Sequence, residues 1–261
     1  MFFIFNKQKI CSYLIAASTV VILFILSIFF INPNIEVMET TASVGMQMPI
    51  HSVDTEKKRI SLSINCEWEA EDIDQILDVL KKNNIKTTFF VLGEWAEKYP
   101  DKVKKMLENG HEVANHSDKH LSITDLSYEQ MQEEILNCAK KIKKITGTET
   151  KLYRAPNGEY SDTLMQVASD NGYKVIHWTV DSLDYQGLDS SQMWDRINKG
   201  LKNGSIILLH NGTDNTANSL ETIIKNIQAK GYNIVKLSDL IYDENYEITV
   251  DGVQKLKTNN E

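Results

Sequence analysis

Cysteine is scarce: the 261 residues contain three, and no two of them share a CxxC spacing. That excludes a disulfide framework and a CxxC redox or metal site. A GxGxxG turn and a GKS/T loop are both missing. The chain therefore offers no cradle for nucleotide phosphates. Basic residues do not dominate: 28 Lys and Arg stand against 36 Asp and Glu, a net charge of -8. This balance argues against nucleic acid and against a strongly anionic ligand. It places no restriction on a neutral substrate such as a sugar.

Charge is also missing from residues 11–31, an unbroken apolar run rich in Leu, Ile, Val, Phe and Ala. At about 1.5 Å per residue the run spans a hydrocarbon core of about 30 Å. Lys7 and Lys9 precede it, and Glu36 and Glu39 follow. The positive-inside rule then puts residues 1–10 in the cytoplasm and everything after Asn32 outside. A cleaved signal peptide is the rival reading. The run is longer than a signal core, and no small-x-small site follows it at once. The expectation is a single-pass anchor in the cell membrane, with the domain on its extracellular side. No lipobox-like residues precede Cys11, so lipidation there is not expected.

What remains divides into a polar stalk (32–58), a patterned domain (59–242) and a polar, loose tail (243–261). Residues 60–64 alternate apolar and polar and read as a strand. In 71–83, Ile73, Ile76, Leu77 and Leu80 recur at helical spacing. Further strands are expected at 87–92, 111–114, 152–155, 173–180, 205–209 and 232–235. Further helices are expected at 101–108, 127–145, 161–169, 191–201 and 217–229, with a short turn at 238–241. Such regular alternation means a parallel sheet covered by helices. A closed or nearly closed barrel of about seven strands fits the count. An open doubly wound sheet is the alternative.

In a barrel of this kind chemistry gathers where the strands end. Asn65, Cys66, Glu67 and Trp68 follow the first strand. His116 and His120 follow the third, four residues apart, on one face if the segment is helical or tightly turned. Arg154, Pro156, Asn157 and Gly158 follow the fourth strand. Asp181, Asp184 and Tyr185 follow the fifth, and His210 and Asn211 the sixth. Neutral imidazole suits zinc and its first-row neighbours. Singly, each residue has a structural explanation. Together, three imidazoles, an arginine and several carboxylates at one end of a barrel are the composition of a metal hydrolase site. His51, His111 and His177 read as structural, as do Trp95, Trp178 and Trp194. Cys138 reads as a small buried hydrophobe.

From about Arg59 to Ile241 the chain resembles the polysaccharide deacetylases, the NodB-homology domains of carbohydrate esterase family four. Thr87-Thr88-Phe89-Phe90-Val91 is similar to the family's second strand. Gly110-His111-Glu112, then Asn115-His116-Ser117-x-x-His120, is similar to its His-Ser-x-x-His metal motif. Arg154-Ala155-Pro156-Asn157-Gly158 resembles Arg-x-Pro-x-Gly, and Asp181-Ser182-Leu183-Asp184-Tyr185 resembles Asp-x-x-Asp-Trp/Tyr. Leu208-Leu209-His210 matches Leu-x-His. The resemblance implies a distorted (β/α) barrel that removes acetyl groups from N-acetylated sugars with a divalent metal. Zinc is the expected ion; cobalt or another first-row metal is the alternative.

By the same resemblance His116 and His120 hold the metal. His210 is the general acid with Asp184 tuning it, Arg154 orients the base, and the backbone N–H of Asn157 helps hold the oxyanion. Trp68, Tyr185, Leu208 and Pro156 line the substrate groove. The chemistry is consistent: a zinc-type ion lowers bound-water pKa to about 7. The oxyanion needs a cation and a donor, and the amine must be protonated to leave.

One motif departs. The family's Thr-Phe-Asp-Asp-Gly, whose first Asp is the base and second a metal ligand, here reads Ser63-Ile64-Asn65-Cys66-Glu67. Asn65 cannot act as a base. Cys66 is a candidate thiolate ligand, unless strand alternation points it into the core. Glu67 is the nearest carboxylate, as ligand or base, with Glu69 behind it. Trp68 resembles a sporulation-type branch with a degenerate first motif. The expected function is an anchored deacetylase of a cell-wall glycan such as peptidoglycan. A glycan-binding or scaffold domain of the same fold and another metal-dependent amidase are the alternatives.

Overall fold

The computed structural model describes residues 47–257. The expected anchor at 11–31, residues 1–10 and the first part of the stalk lie outside the described residues. Among the described residues no helix is long and apolar enough to cross a membrane.

Strand β2 (Arg59–Cys66) is the centre of the fold. It pairs in parallel with β3 (Thr88–Val91), β8 (Ile206–His210) and β9 (Asn233–Ile234). β4 (Glu112–Asn115), β5 (Leu152–Tyr153) and β6 (Lys174–Val175) extend the sheet beyond β3, and β7 (Val180–Asp181) extends it beyond β8. Every rung is parallel, as the βα alternation predicts.

β6 and β7 end the seven-strand path on opposite sides, yet only residues 176–179 separate them. A flat sheet would hold its outer strands about 29 Å apart at the usual strand spacing. Five steps of extended chain reach at most about 18 Å. The sheet therefore curls. Its seam is filled by an isolated parallel bridge between Ile50 and Ile176, and by Thr179 Oγ1 donating to the His51 carbonyl at 2.7 Å. The single strand expected over 173–180 is thus two short ones. Apolar alternation cannot reveal that the chain leaves one edge and enters the other.

Alternation along β2 sorts its side chains. Ile60, Leu62, Ile64 and Cys66 face the helices in the main hydrophobic core. Ser61, Ser63 and Asn65 take the other face, buried and polar. Helix α1 (Ile73–Lys82) covers the outer side with Ile73, Ile76, Leu77 and Leu80. Next come α2 (Gly93–Lys98), which periodicity did not reveal, and α3 (Pro100–Glu108). Gly93 admits no side chain, because a Cβ there would collide with the Asp118 carboxylate. The long helix α4 (Tyr128–Thr146) opens on a Ser127–Gln130 capping box and stops at left-handed Gly147. α5 (Asp162–Asp170), α6 (Ser190–Gly200) and α7 (Thr216–Ala229) complete the outer layer, followed by the short α8 (Leu237–Leu240).

Two boundaries need correction. The stalk expected to run to residue 58 already contributes Ile50, Val53 and strand β1 (Ser52–Val53) to the fold. The tail expected to be loose carries β10 (Tyr246–Ile248) and β11 (Val253–Leu256), which join β1 in a second sheet. Gln254 shows why polarity misled. It is fully buried, but its Oε1 accepts from the Tyr242 N–H at 2.9 Å and its Nε2 donates to the Tyr242 carbonyl at 2.8 Å.

Candidate metal centre and catalytic cavity

The parallel strands all end on one side, and there a cavity of about 900 Å³ opens. Asn65, Glu67, Trp68, His120, Asn157, Asp181, Tyr185, Leu208 and His210 line it. Arg154, His116 and Asp184 lie buried behind that wall. Most of the strand-end residues picked from the sequence thus converge on one place; Cys66 and Pro156 do not.

Glu67, His116 and His120 each offer a ligand atom, all within 4.8 Å of one another. The turn carrying the histidines is not helical: Ser117 and His120 have φ of 77° and 59°. The spacing works through a tight left-handed turn, with the two rings 5.4 Å apart and nearly perpendicular. His116 Nδ1 lies 2.9 Å from the Arg154 carbonyl, which can only accept, so Nδ1 carries the proton. Nε2 then keeps its lone pair and receives the Asn65 amide at 3.0 Å. Burial lowers the His116 pKa, so the ring is neutral, the form that binds metal. The Glu67 carboxylate raises that of His120.

Burial pushes the Glu67 carboxyl up. The two imidazoles outweigh that and hold it well below the usual carboxylate range. Glu67 Oε2 stands 2.7 Å from His120 Nε2 and 3.5 Å from His116 Nε2. It nevertheless has no aligned hydrogen-bond donor. A carboxylate oxygen converging with two imidazole nitrogens is a donor set that fits a zinc-type cation. Glu67 is thereby placed to serve as a ligand, with a role as the base the alternative.

Cys66 does not join this set. The strand parity that turns Asn65 inward turns Cys66 into the core, fully buried. Burial, reinforced by Asp72 and Glu67, raises its thiol well above the ordinary range, so it stays protonated. Cys66→Ala is therefore expected to leave zinc affinity unchanged. Cys66→Asp is expected to cost about 3 kcal/mol or more, because it buries an unpaired carboxylate. Urea unfolding of the two variants beside the natural chain measures both stabilities, and zinc titration tests the affinity.

Across the cavity His210 ends β8. Its Nδ1 lies 2.8 Å from Asp184 Oδ1, and its own N–H donates to Asp184 Oδ2 at 2.6 Å. Thr216 Oγ1 donates to the same oxygen at 2.7 Å. Asp184 thus fixes both ring and backbone and leaves His210 Nε2 for a ligand. Trp68 and Tyr185 flank the imidazole, with ring centroids 5.4 Å and 5.2 Å away.

Arg154 is fully buried. Nη1 donates to Asn65 Oδ1 at 2.9 Å, and Nη2 donates to Ser63 Oγ and to the His177 carbonyl. The guanidinium lies 4.0 Å over the Phe90 ring. Burial pushes its pKa down to about 9, still charged at neutral pH. The residue it orients is the amide that replaces the base.

Asn157, at φ 56°, sits on the cavity wall. Beside it Gly158 must be glycine, since a Cβ would strike His177 and Trp178. Pro156 requires correction: it is buried and does not line the cavity. Trp178, read from sequence as packing, does line it. His111 behaves as expected, accepting the Thr87 N–H at Nδ1.

The family model for polysaccharide deacetylase matches residues 52–176. The peptidoglycan-N-acetylmuramic acid deacetylase PdaA of Bacillus subtilis is 30% identical over 195 residues, 73% of this chain and 74% of that protein. The peptidoglycan-N-acetylglucosamine deacetylase PgdA of Listeria monocytogenes is 33% identical over 73% of this chain, but the match spans only 40% of that longer protein. Among solved structures, a family-four carbohydrate esterase pseudoenzyme from Bacillus anthracis superposes with a TM-score of 0.71 at 29% identity, covering 74% of this chain and 68% of that one. A mutant of the same pseudoenzyme, described as having restored enzymatic activity, superposes equally well. The chain belongs to the polysaccharide deacetylase family.

Proposed function

We propose that the chain is a metal-dependent deacetylase that hydrolyses the N-acetyl amide of hexosamine residues in a cell-wall glycan such as peptidoglycan. The observation that carries this reading is the Glu67–His116–His120 cluster facing the Asp184–His210 pair across one cavity. Relatives named for deacetylating peptidoglycan support the substrate class. The uncharged run at 11–31 supports tethering outside the membrane, beside that wall.

A divalent cation held by Glu67, His116 and His120 would supply a strong water nucleophile and a charge for the oxyanion. The chain's own groups do the rest. His210, its Nδ1 held by Asp184, donates a proton from Nε2 to the departing amine. Trp68 and Tyr185 provide flat apolar walls for the sugar on either side of it. Asn65, held by Arg154, occupies the position of the base and cannot take a proton.

That last point favours a second reading, a glycan-binding domain without turnover. Acetate release from peptidoglycan and from chito-oligosaccharides separates the two. With the full-length chain we expect release that rises on adding zinc or cobalt and stops with chelator. Saturable glycan binding with no acetate under any metal supports the second reading and contradicts the first.

A further inference from the structure

Glu134 is a carboxylate on the apolar stripe of α4. Met131, Ile135, Cys138 and Ile142 face the core, and Glu134 is buried among them. Such a group is unfavourable there unless hydrogen bonds compensate it. One oxygen, Oε2, accepts three: from Ser117 Oγ at 2.8 Å, the Asp118 N–H at 3.1 Å and the Lys119 N–H at 2.9 Å. All three donors belong to the turn between His116 and His120.

That turn needs outside support. Ser117 and His120, neither of them glycine, both adopt left-handed backbone. Such conformations persist only where the surroundings over-determine them. The neighbouring Asn115 is tied to the same helix, its Nδ2 donating to the Ile135 carbonyl at 2.7 Å. Its Oδ1 accepts the Ser117 N–H at 2.9 Å. Helix α4 thus holds the path of the chain from one imidazole to the other, and Glu134 supplies three of its bonds, beside the Gly93 and Glu94 N–H groups that donate to the Ser117 and Asp118 carbonyls.

We propose that Glu134 is a positioning residue for the metal centre. Its single carboxylate oxygen, triply hydrogen-bonded to the 117–119 turn, sets His120 against His116 and Glu67. Glu134 touches neither histidine and acts through the turn. The inference rests on the metal-site reading above and adds a residue to it.

A double-mutant cycle on the full-length chain tests it, reading zinc affinity by chelator competition. Glu134→Leu is expected to weaken zinc binding tenfold to about a hundredfold, the range for groups that orient ligands. Glu134→Gln, which keeps one acceptor oxygen, is expected to fall between Leu and the natural residue. In a His120→Ala background, changing Glu134 is expected to alter affinity by no more than about twofold, the scatter of independent sites. Equal weakening with and without His120, or none at all, overturns the proposal. Where Glu134→Leu does not fold, Glu134→Gln carries the same cycle. If His120→Ala alone leaves zinc affinity unchanged, the metal-site reading fails, and this inference falls with it.

Discussion

His116→Ala is expected to lower zinc affinity by more than about a hundredfold, beyond what outer-shell changes cost. His116 is the most constrained of the three candidate ligands. It is almost wholly buried, and the Arg154 carbonyl fixes its Nδ1 proton. That leaves the Nε2 lone pair, 3.0 Å from the Asn65 amide and 3.5 Å from Glu67 Oε2. The substitution also strips partners from the Arg154 carbonyl and the Asn65 amide. Each such loss is worth about 1–3 kcal/mol, so a fall in stability should accompany the loss of zinc. His111→Ala is the control. That ring is equally buried but bonds to Thr87, so its removal should cost stability and leave zinc affinity intact. Unchanged zinc content in His116→Ala would remove His116 from the site.

Asn65→Asp is expected to raise acetate release by about a hundredfold or more, within the range a positioned general base contributes. The structure is prepared for a carboxylate there. Arg154 is buried, charged and has no carboxylate among its hydrogen-bond partners; it donates to Asn65 Oδ1 instead. An aspartate in the same rotamer would keep that bond and gain charge pairing with the guanidinium. It would also place a proton acceptor beside the metal ligands. A mutant of the pseudoenzyme relative is described as having restored enzymatic activity. Parallel initial-rate measurements on the two chains, at equal zinc occupancy, decide the matter. Equal rates would mean that residue 65 is not where the missing base belongs.

Much of this arrangement is legible in the sequence, for identifiable reasons. Strand β2 shows itself because small polar residues alternate with Ile60, Leu62 and Ile64. The same alternation settles Asn65 against Cys66, since one parity faces the cavity and the other the core. His116 and His120 are visible as a pair; their spacing fits a helix or a tight turn, and the chain makes the turn. The turn depends on Glu134, seventeen residues beyond Ser117, and local pattern does not connect them. A lone carboxylate on the apolar stripe of α4 was the available signal. The split of 173–180 into two strands and the docking of 246–256 are hidden for a related reason. Both are fixed by distant partners, Ile50 and strand β1, and not by the periodicity of the segments themselves.

Anomalous diffraction at the zinc edge, from crystals of the chain grown with zinc, bears most directly on the site. The account predicts a peak about 2.0–2.2 Å from a Glu67 oxygen, His116 Nε2 and a ring nitrogen of His120. Zinc bound elsewhere, with nothing between those three side chains, would contradict it.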